Sequence, residues 1–266
     1  MAFSALRSVW RIMDERELGL IAAGVAFFGF LSLFPSVSAV ITLWGYAADP
    51  VAIRTELGRM QNYLPPQSFT LLSDQVEALI AVNSSQLGVA TVASTVVALW
   101  SARAGVAALI RGLNAIHGLP QRTGLRHQLR ALSLTMVLLG LVLGAMLTTI
   151  VGPLLIGFLP LGTFAARALE LVQVLVGLVL VVLSIGLAYR IGLNRTGVVL
   201  FTPGLVVAVI LWALVSRGFV IYLANFGAYN QIYGSIGAVA ALLMWMYLSA
   251  YAVLLGAAFD ASRRPQ

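Results

Sequence analysis

Residues 98–118 read "ALWSARAGVAALIRGLNAIHG", placing Arg103 and Arg111 eight positions apart in an otherwise almost wholly apolar run of a chain that contains no lysine. A helix that tolerates both arginines here is long enough to cross a bilayer, and the rest of the chain asks for such a helix. Of 266 residues, 61% are hydrophobic and 9% charged, against roughly 25% charged in an average soluble domain. Working outward, uncharged runs cover Leu18 to Ala48, Ala131 to Ala166, Leu171 to Tyr189 and Thr196 to Ser216; another, broken by the polar "NFGAYNQIYG" (225–234), follows Arg217 and ends at Phe259. Each reaches or approaches the ~20 residues that cover ~30 Å of hydrocarbon. With the arginine-bearing run added, the expected fold class is all-α: a polytopic membrane protein forming one integral membrane domain over 1–266. Its six transmembrane helices are expected near 19–47, 87–113, 131–151, 168–189, 198–224 and 235–259.

The net charge of +7 would suggest nucleic acid as partner in a soluble protein. Its distribution argues otherwise. Arg7, Arg11 and Arg16 precede the first span, Arg111, Arg122, Arg126 and Arg130 surround the second connection, Arg190 and Arg195 the fourth, and Arg263 and Arg264 end the chain. The opposite side has Arg54, Arg59 and Arg167. This is the positive-inside bias, and it predicts both termini of a multi-pass membrane protein in the cytoplasm. The first apolar stretch is too long for the ~7–15-residue core of a signal peptide.

Phe3, Leu6, Trp10 and Met13 fall at helical spacing with Arg7, Arg11 and Asp14 between them. Two readings stand: an amphipathic helix on the cytoplasmic membrane surface, or an ordinary helix packed on the protein's own loops. Pro35 in "LSLFPSVS" removes a backbone donor and predicts a kink, serving either as a hinge or for packing. The segment 49–86 is too short for a core of its own; two amphipathic helices at the outer interface are expected there. Gly152-Pro153, Gly157, Pro160 and Gly162 should break the chain after the third span. Gly24, Gly29, Gly140, Gly144, Gly186 and Gly237 offer close helix contacts.

Positions 103, 107, 111 and 114 share one helix face, so Arg103, Arg111 and Asn114 cannot all point into lipid. Arg217 and Asn225 fall nearly on one face of the fifth span. A buried unpaired arginine costs at least ~2.5–3.5 kcal/mol, so each needs a partner, water or an anionic ligand. Glu170 and Asp260 are the candidate charge partners, or the carriers of coupled protons. The alternative to ion pairing is a polar cavity in which Arg103 and Arg217 hold phosphate or carboxylate, with Asn114, Tyr222, Asn225, Tyr229 and Asn230 as further contacts. The pattern Asn-x-Ile-x-Gly occurs at 114–118 and again at 230–234, the possible trace of an inverted repeat.

Enzyme chemistry finds little support. With no cysteine or lysine, thiolate metal sites and a Walker A loop are excluded. His117 and His127 have no carboxylate nearby in sequence, so no metal or other cofactor is expected, and no Gly-x-Ser-x-Gly elbow occurs.

"FFGFLSLFPSV" (27–37), "LWSARAGVAALIRGLNAIHGLPQRTGLRHQLRALSLT" (99–135) and above all "YLANFGAYNQIYGSIGAVAALLMWMYLSAYAVLLGAAFDA" (222–261) resemble the YihY/virulence factor BrkB family of bacterial inner-membrane proteins, once mislabelled ribonuclease BN. The resemblance implies six spans with both ends inside, a link to virulence, and transport, with anionic lipid among the proposed cargoes. The family pattern places a glutamate where this chain has Ala258, and Asp260 stands about 200° further round the helix. The function expected is therefore a non-enzymatic transporter or flippase for an anionic amphiphile such as a phosphorylated lipid. Its partners would be membrane lipids or a small anionic solute, not nucleic acid. A non-transporting membrane scaffold is the alternative.

Overall fold

The computed structural model describes the backbone of residues 2–47, 58, 73, 77, 84–121, 124–158, 163–195, 197–224 and 227–263; side chains at 2–6, 34–47, 84–88, 90, 91, 126, 146–158, 163–166, 170, 224, 227–236 and 238 lie outside the described set. The described chain is helical: α1 (Ala2–Glu15), α2 (Leu18–Ala47), α3 (Ser84–Ile116), α4 (Leu125–Phe158), α5 (Thr163–Gly192), α6 (Pro203–Ala224) and α7 (Gly227–Ser262), with no strand among the described residues. Five helices carry stretches long and apolar enough to cross a membrane, at Val92–Ile116, His127–Ala145, Arg167–Gly192, Pro203–Leu223 and Val239–Ser262; a sixth is reached if α1 and α2, which meet at 61°, count as one bent span. The all-α, multi-span fold expected from the sequence is thus present. The external segment expected at 49–86 falls almost entirely outside the described residues.

Three boundaries differ from expectation, each for a backbone reason. Helix α4 runs through Gly152-Pro153 and Gly157 to Phe158; a proline inside a membrane helix is tolerated because neighbouring groups re-satisfy the freed carbonyl. Helix α7 begins at Gly227, so the polar stretch before the sixth span is already helical. Helix α6 starts at Pro203 rather than 198, because Pro at the first helical position and Thr202 before it form a ready-made N-terminus.

The chain gathers into two compact units, residues 1–28 with 103–266, and residues 29–102. In the smaller unit, Ser32 Oγ donates to Gly29 O at 2.6 Å, and Ser101 is fully buried. In the larger unit one core joins Leu18 and Ala22 of α2, Leu113 and Ile116 of α3, Ile185 and Tyr189 of α5, Leu205 and Ala208 of α6, and Leu254, Ala257 and Ala258 of α7. Val9, Ile12 and Met13 of α1 pack against it. One face of α1 therefore rests on its own protein, while Trp10, expected on the apolar stripe, is 71% exposed on the other. A second cluster joins Ala107 and Ile110 of α3 to Ala131 and Leu134 of α4 and Ala188 of α5. The end of the larger unit that carries α1, the close of α3 and the C-terminal turn of α7 is called the arginine-rich end below.

Candidate functional site

Arg103 lies close to the midpoint of the Val92–Ile116 span and is half-buried. Two turns on, Arg111 is exposed, while Ala107 between them packs into the α3–α4–α5 cluster. The two guanidiniums therefore flank the face that α3 turns to its neighbours. His127, in the first turn of α4, is within electrostatic reach of Arg111 and, more weakly, of Arg103. Its Nε2 is buried with no hydrogen-bond partner among the described atoms. In sequence His127 shows only the lack of a nearby carboxylate; its place near two arginines depends on how α4 folds back along α3, which spacing does not reveal. No carboxylate pairs with Arg103 among the described residues, where the ion pair found is the exposed Arg11–Glu15 at 3.8 Å.

Asn114 is fully buried. Its Nδ2 donates to Ile110 O at 2.7 Å and to Gly192 O at 2.8 Å, and its Oδ1 accepts the Asn194 N–H at 2.7 Å. Asn194 in turn donates to Pro120 O at 3.0 Å and accepts from Arg130 at 2.9 Å. The amide expected to touch substrate thus latches α3, α4 and the end of α5 together, with both donor hydrogens used. The following residues close α3 as a Schellman motif. Leu119 N–H reaches Asn114 O at 2.8 Å and Gly118 N–H reaches Ala115 O at 3.1 Å, with Gly118 at φ +64°. The second Asn-x-Ile-x-Gly copy, at 230–234, lies inside the opening turns of α7 instead. The two copies thus hold different places in their helices, one closing α3 and the other near the start of α7.

Asp260 is buried and meets the start of α6, not an arginine: its Oδ1 accepts the Gly204 N–H at 2.7 Å. Pro203 has no N–H, and Thr202 Oγ1 accepts the Leu205 N–H at 3.1 Å. Each of the first three helical positions is thereby answered, and the carboxylate sits at the positive end of the α6 dipole. Room for it exists because α6 and α7 touch backbone to backbone at Gly204 and Gly256. Tyr189 Oη donates to Val253 O at 2.5 Å beside the same contact. Ala258, where the family pattern has glutamate, is fully buried in the core.

Arg217 lies on another surface. Val206, Ile210, Leu214 and Ile221 of α6 are all more than half exposed, and Arg217, also exposed, falls on their stripe. α6 packs its small-residue face, Gly204 and Ala208, on α7, and Arg217 stands exposed on the opposite side of the helix. Tyr222 is 38% exposed near the end of α6. Asn225 lies outside the described residues, as do the side chains of Tyr229, Asn230, Glu170 and Pro35. Of the glycines expected at helix contacts, Gly186 meets Leu200, but Gly24, Gly140 and Gly144 face open space; Gly112, Gly192, Gly204 and Gly256 make the close approaches. Among the described residues no group of three potential metal ligands occurs.

These features define a multi-pass membrane protein, helical throughout its described residues, with an arginine-bearing span. Residues 9–265 match the family described as Virulence factor BrkB, and the chain belongs to that family. A Bacillus subtilis (strain 168) protein named as ribonuclease-like, YfkH, is 29% identical over 247 residues, covering 90% of this chain and 88% of its own length. A UPF0761 membrane protein of Xanthomonas oryzae pv. oryzae is 50% identical over 60 residues, 23% of this chain and 14% of its own. No solved structure matches.

Proposed function

We propose that the chain is an inner-membrane transporter or flippase that binds an anionic amphiphile such as a phosphorylated lipid and catalyses no covalent reaction. The observation that carries this reading is Arg103: a half-buried guanidinium near the middle of a 25-residue span, with no carboxylate beside it among the described residues. Such a charge costs about 2.5–3.5 kcal/mol on insertion scales. A substrate phosphate offsets that cost when it arrives, and Arg111 continues the positive flank towards the arginine-rich end. Arg217 offers a lipid phosphate a second guanidinium from the outer stripe of α6. The positive-inside rule puts the arginine-rich end and both termini in the cytoplasm. Asp260 is engaged by α6, which leaves Glu170 as the candidate for charge pairing or proton coupling. Tyr222, Asn225, Tyr229 and Asn230 are the candidate polar contacts at the far end.

The test is movement of a labelled anionic lipid across proteoliposomes. Arg103→Gln is expected to slow it by about tenfold or more, since a charge-assisted phosphate contact is lost. Equal rates for wild type, Arg103→Gln and Arg217→Gln remove these residues from the mechanism. A second reading, a membrane scaffold, draws support from the filled core shared by α2, α3, α5, α6 and α7; it predicts no lipid movement even by the wild type.

A further inference from the structure

A cleft of about 620 Å³ opens at the arginine-rich end between α1, the close of α3, the α5–α6 connection and the last turn of α7. Arg11, Arg16 and Arg195 line it together with a single carboxylate, Glu15, and with Ser8 and His117. Among the described residues that line it, three guanidiniums stand against one carboxylate, which leaves two positive charges unmatched. Arginines at helix C-termini often serve only to answer orphan carbonyls, but here several of those carbonyls have other donors. The Schellman bonds close α3, Arg16 N–H and Glu17 N–H return to Ile12 O and Asp14 O at the end of α1, and Ser262 Oγ donates to Phe259 O in α7. Arg11 Nε pairs with Glu15, whereas among the described residues no side-chain bond engages Arg16 or Arg195, and both border the cleft.

We propose that this cleft binds a phosphate monoester, carried either by an anionic lipid or by a soluble molecule. Such a group carries about −1.5 to −2 charges near neutral pH and three strong acceptor oxygens, which matches the unmatched charge of the wall. Lipid has a route to it. Because spans tilt by only about 20° on average, the 61° angle between α1 and α2 lays α1 nearer the membrane plane, and the exposed Trp10 suits the head-group layer. The site does not depend on transport, and it stands if the ligand is only held.

The experiment measures binding to the full-length protein in neutral detergent, with short-chain phosphatidic acid, short-chain phosphatidylcholine, glycerol 3-phosphate and inorganic phosphate as probes. Phosphatidic acid is expected to bind at least about tenfold more tightly than phosphatidylcholine, with Arg16→Gln/Arg195→Gln removing that preference. Binding of glycerol 3-phosphate or inorganic phosphate as tightly as phosphatidic acid supports the site and assigns it to a soluble ligand; weak binding of both assigns it to lipid. Glu15→Gln, an exposed change that removes the opposing charge, is expected to tighten binding severalfold and keeps the test decisive if the double variant folds poorly. Equal affinity for phosphatidic acid and phosphatidylcholine, or an affinity indifferent to both sets of changes, overturns the proposal. Normal lipid movement in the double variant refutes only a role of the cleft in transport, whereas intact binding in a protein that moves no lipid refutes only the transport reading.

Discussion

Asn114 and Arg103 lie eleven residues apart on α3, and both were picked out in the sequence for the same reason, a polar group in a greasy helix. Their environments separate them. Asn114 has spent its amide on Ile110, Gly192 and Asn194, so Asn114→Leu strands a buried carbonyl and a buried N–H. Each stranded group costs about 1–3 kcal/mol, and the expected outcome is a clear fall in the thermal unfolding midpoint in detergent; an unaltered midpoint would contradict the latch. Asp260 admits a similar test. As an acceptor for the Gly204 N–H its role is largely kept in Asp260→Asn, whereas Asp260→Ala is expected to lose about 0.5–2 kcal/mol, the usual value of an N-terminal cap. If instead it carries a coupled proton, the asparagine variant stops lipid movement while unfolding like wild type, and the two roles are told apart by one pair of variants. The sequence made the polarity of both residues legible. It could not say that one is saturated and the other is not, because the partners are 78 and 80 residues away in the first case.

At the scale of helices, hydropathy found the apolar runs that form α2 to α7, since length and apolarity are local properties, but it missed the end of α4 and the starts of α6 and α7. What it could not rank were the glycines. Gly140 and Gly256 look alike in sequence, each set in an apolar run, yet a methyl group added at Gly140 meets nothing within 4 Å. At Gly256 it would fall 2.6 Å from Ala208 Cβ and 2.7 Å from Tyr189 Oη, with the Gly204 carbonyl closer still. Backbone cannot retreat as a side chain can. Gly256→Ala is therefore expected to destabilise by about 1–3 kcal/mol or more through overpacking, while Gly140→Ala is neutral or gains up to about 1 kcal/mol from helix propensity. Unfolding midpoints of the two variants measured side by side check this, and similar midpoints would mean that α6 and α7 are not held at that crossing. The same logic explains α1: its spacing announced an amphipathic helix, but which of two possible faces turned inward depended on the core offered by α2 and α7.

For the molecule as a whole, the orientation of the arginine-rich end decides which leaflet supplies a ligand to the cleft and from which side Arg103 is reached. The arginine bias assigns that end to the cytoplasm, acting during insertion through the charges near span ends. The chain offers a clean way to check it, because it has no cysteine and any introduced thiol is the sole target of a maleimide. Gln121, exposed in the α3–α4 connection, belongs to the end predicted to be inside; Gln67, in the segment 49–86, belongs to the side predicted to be outside. In intact spheroplasts a membrane-impermeant maleimide is expected to label Gln67→Cys and to spare Gln121→Cys until the membrane is opened. The reverse pattern would put the cleft, its three arginines and the flank of Arg103 on the external face. A lipid phosphate would then have to come from the outer leaflet, and the proposed direction of access would have to be inverted even though every residue-level contact described above stayed the same.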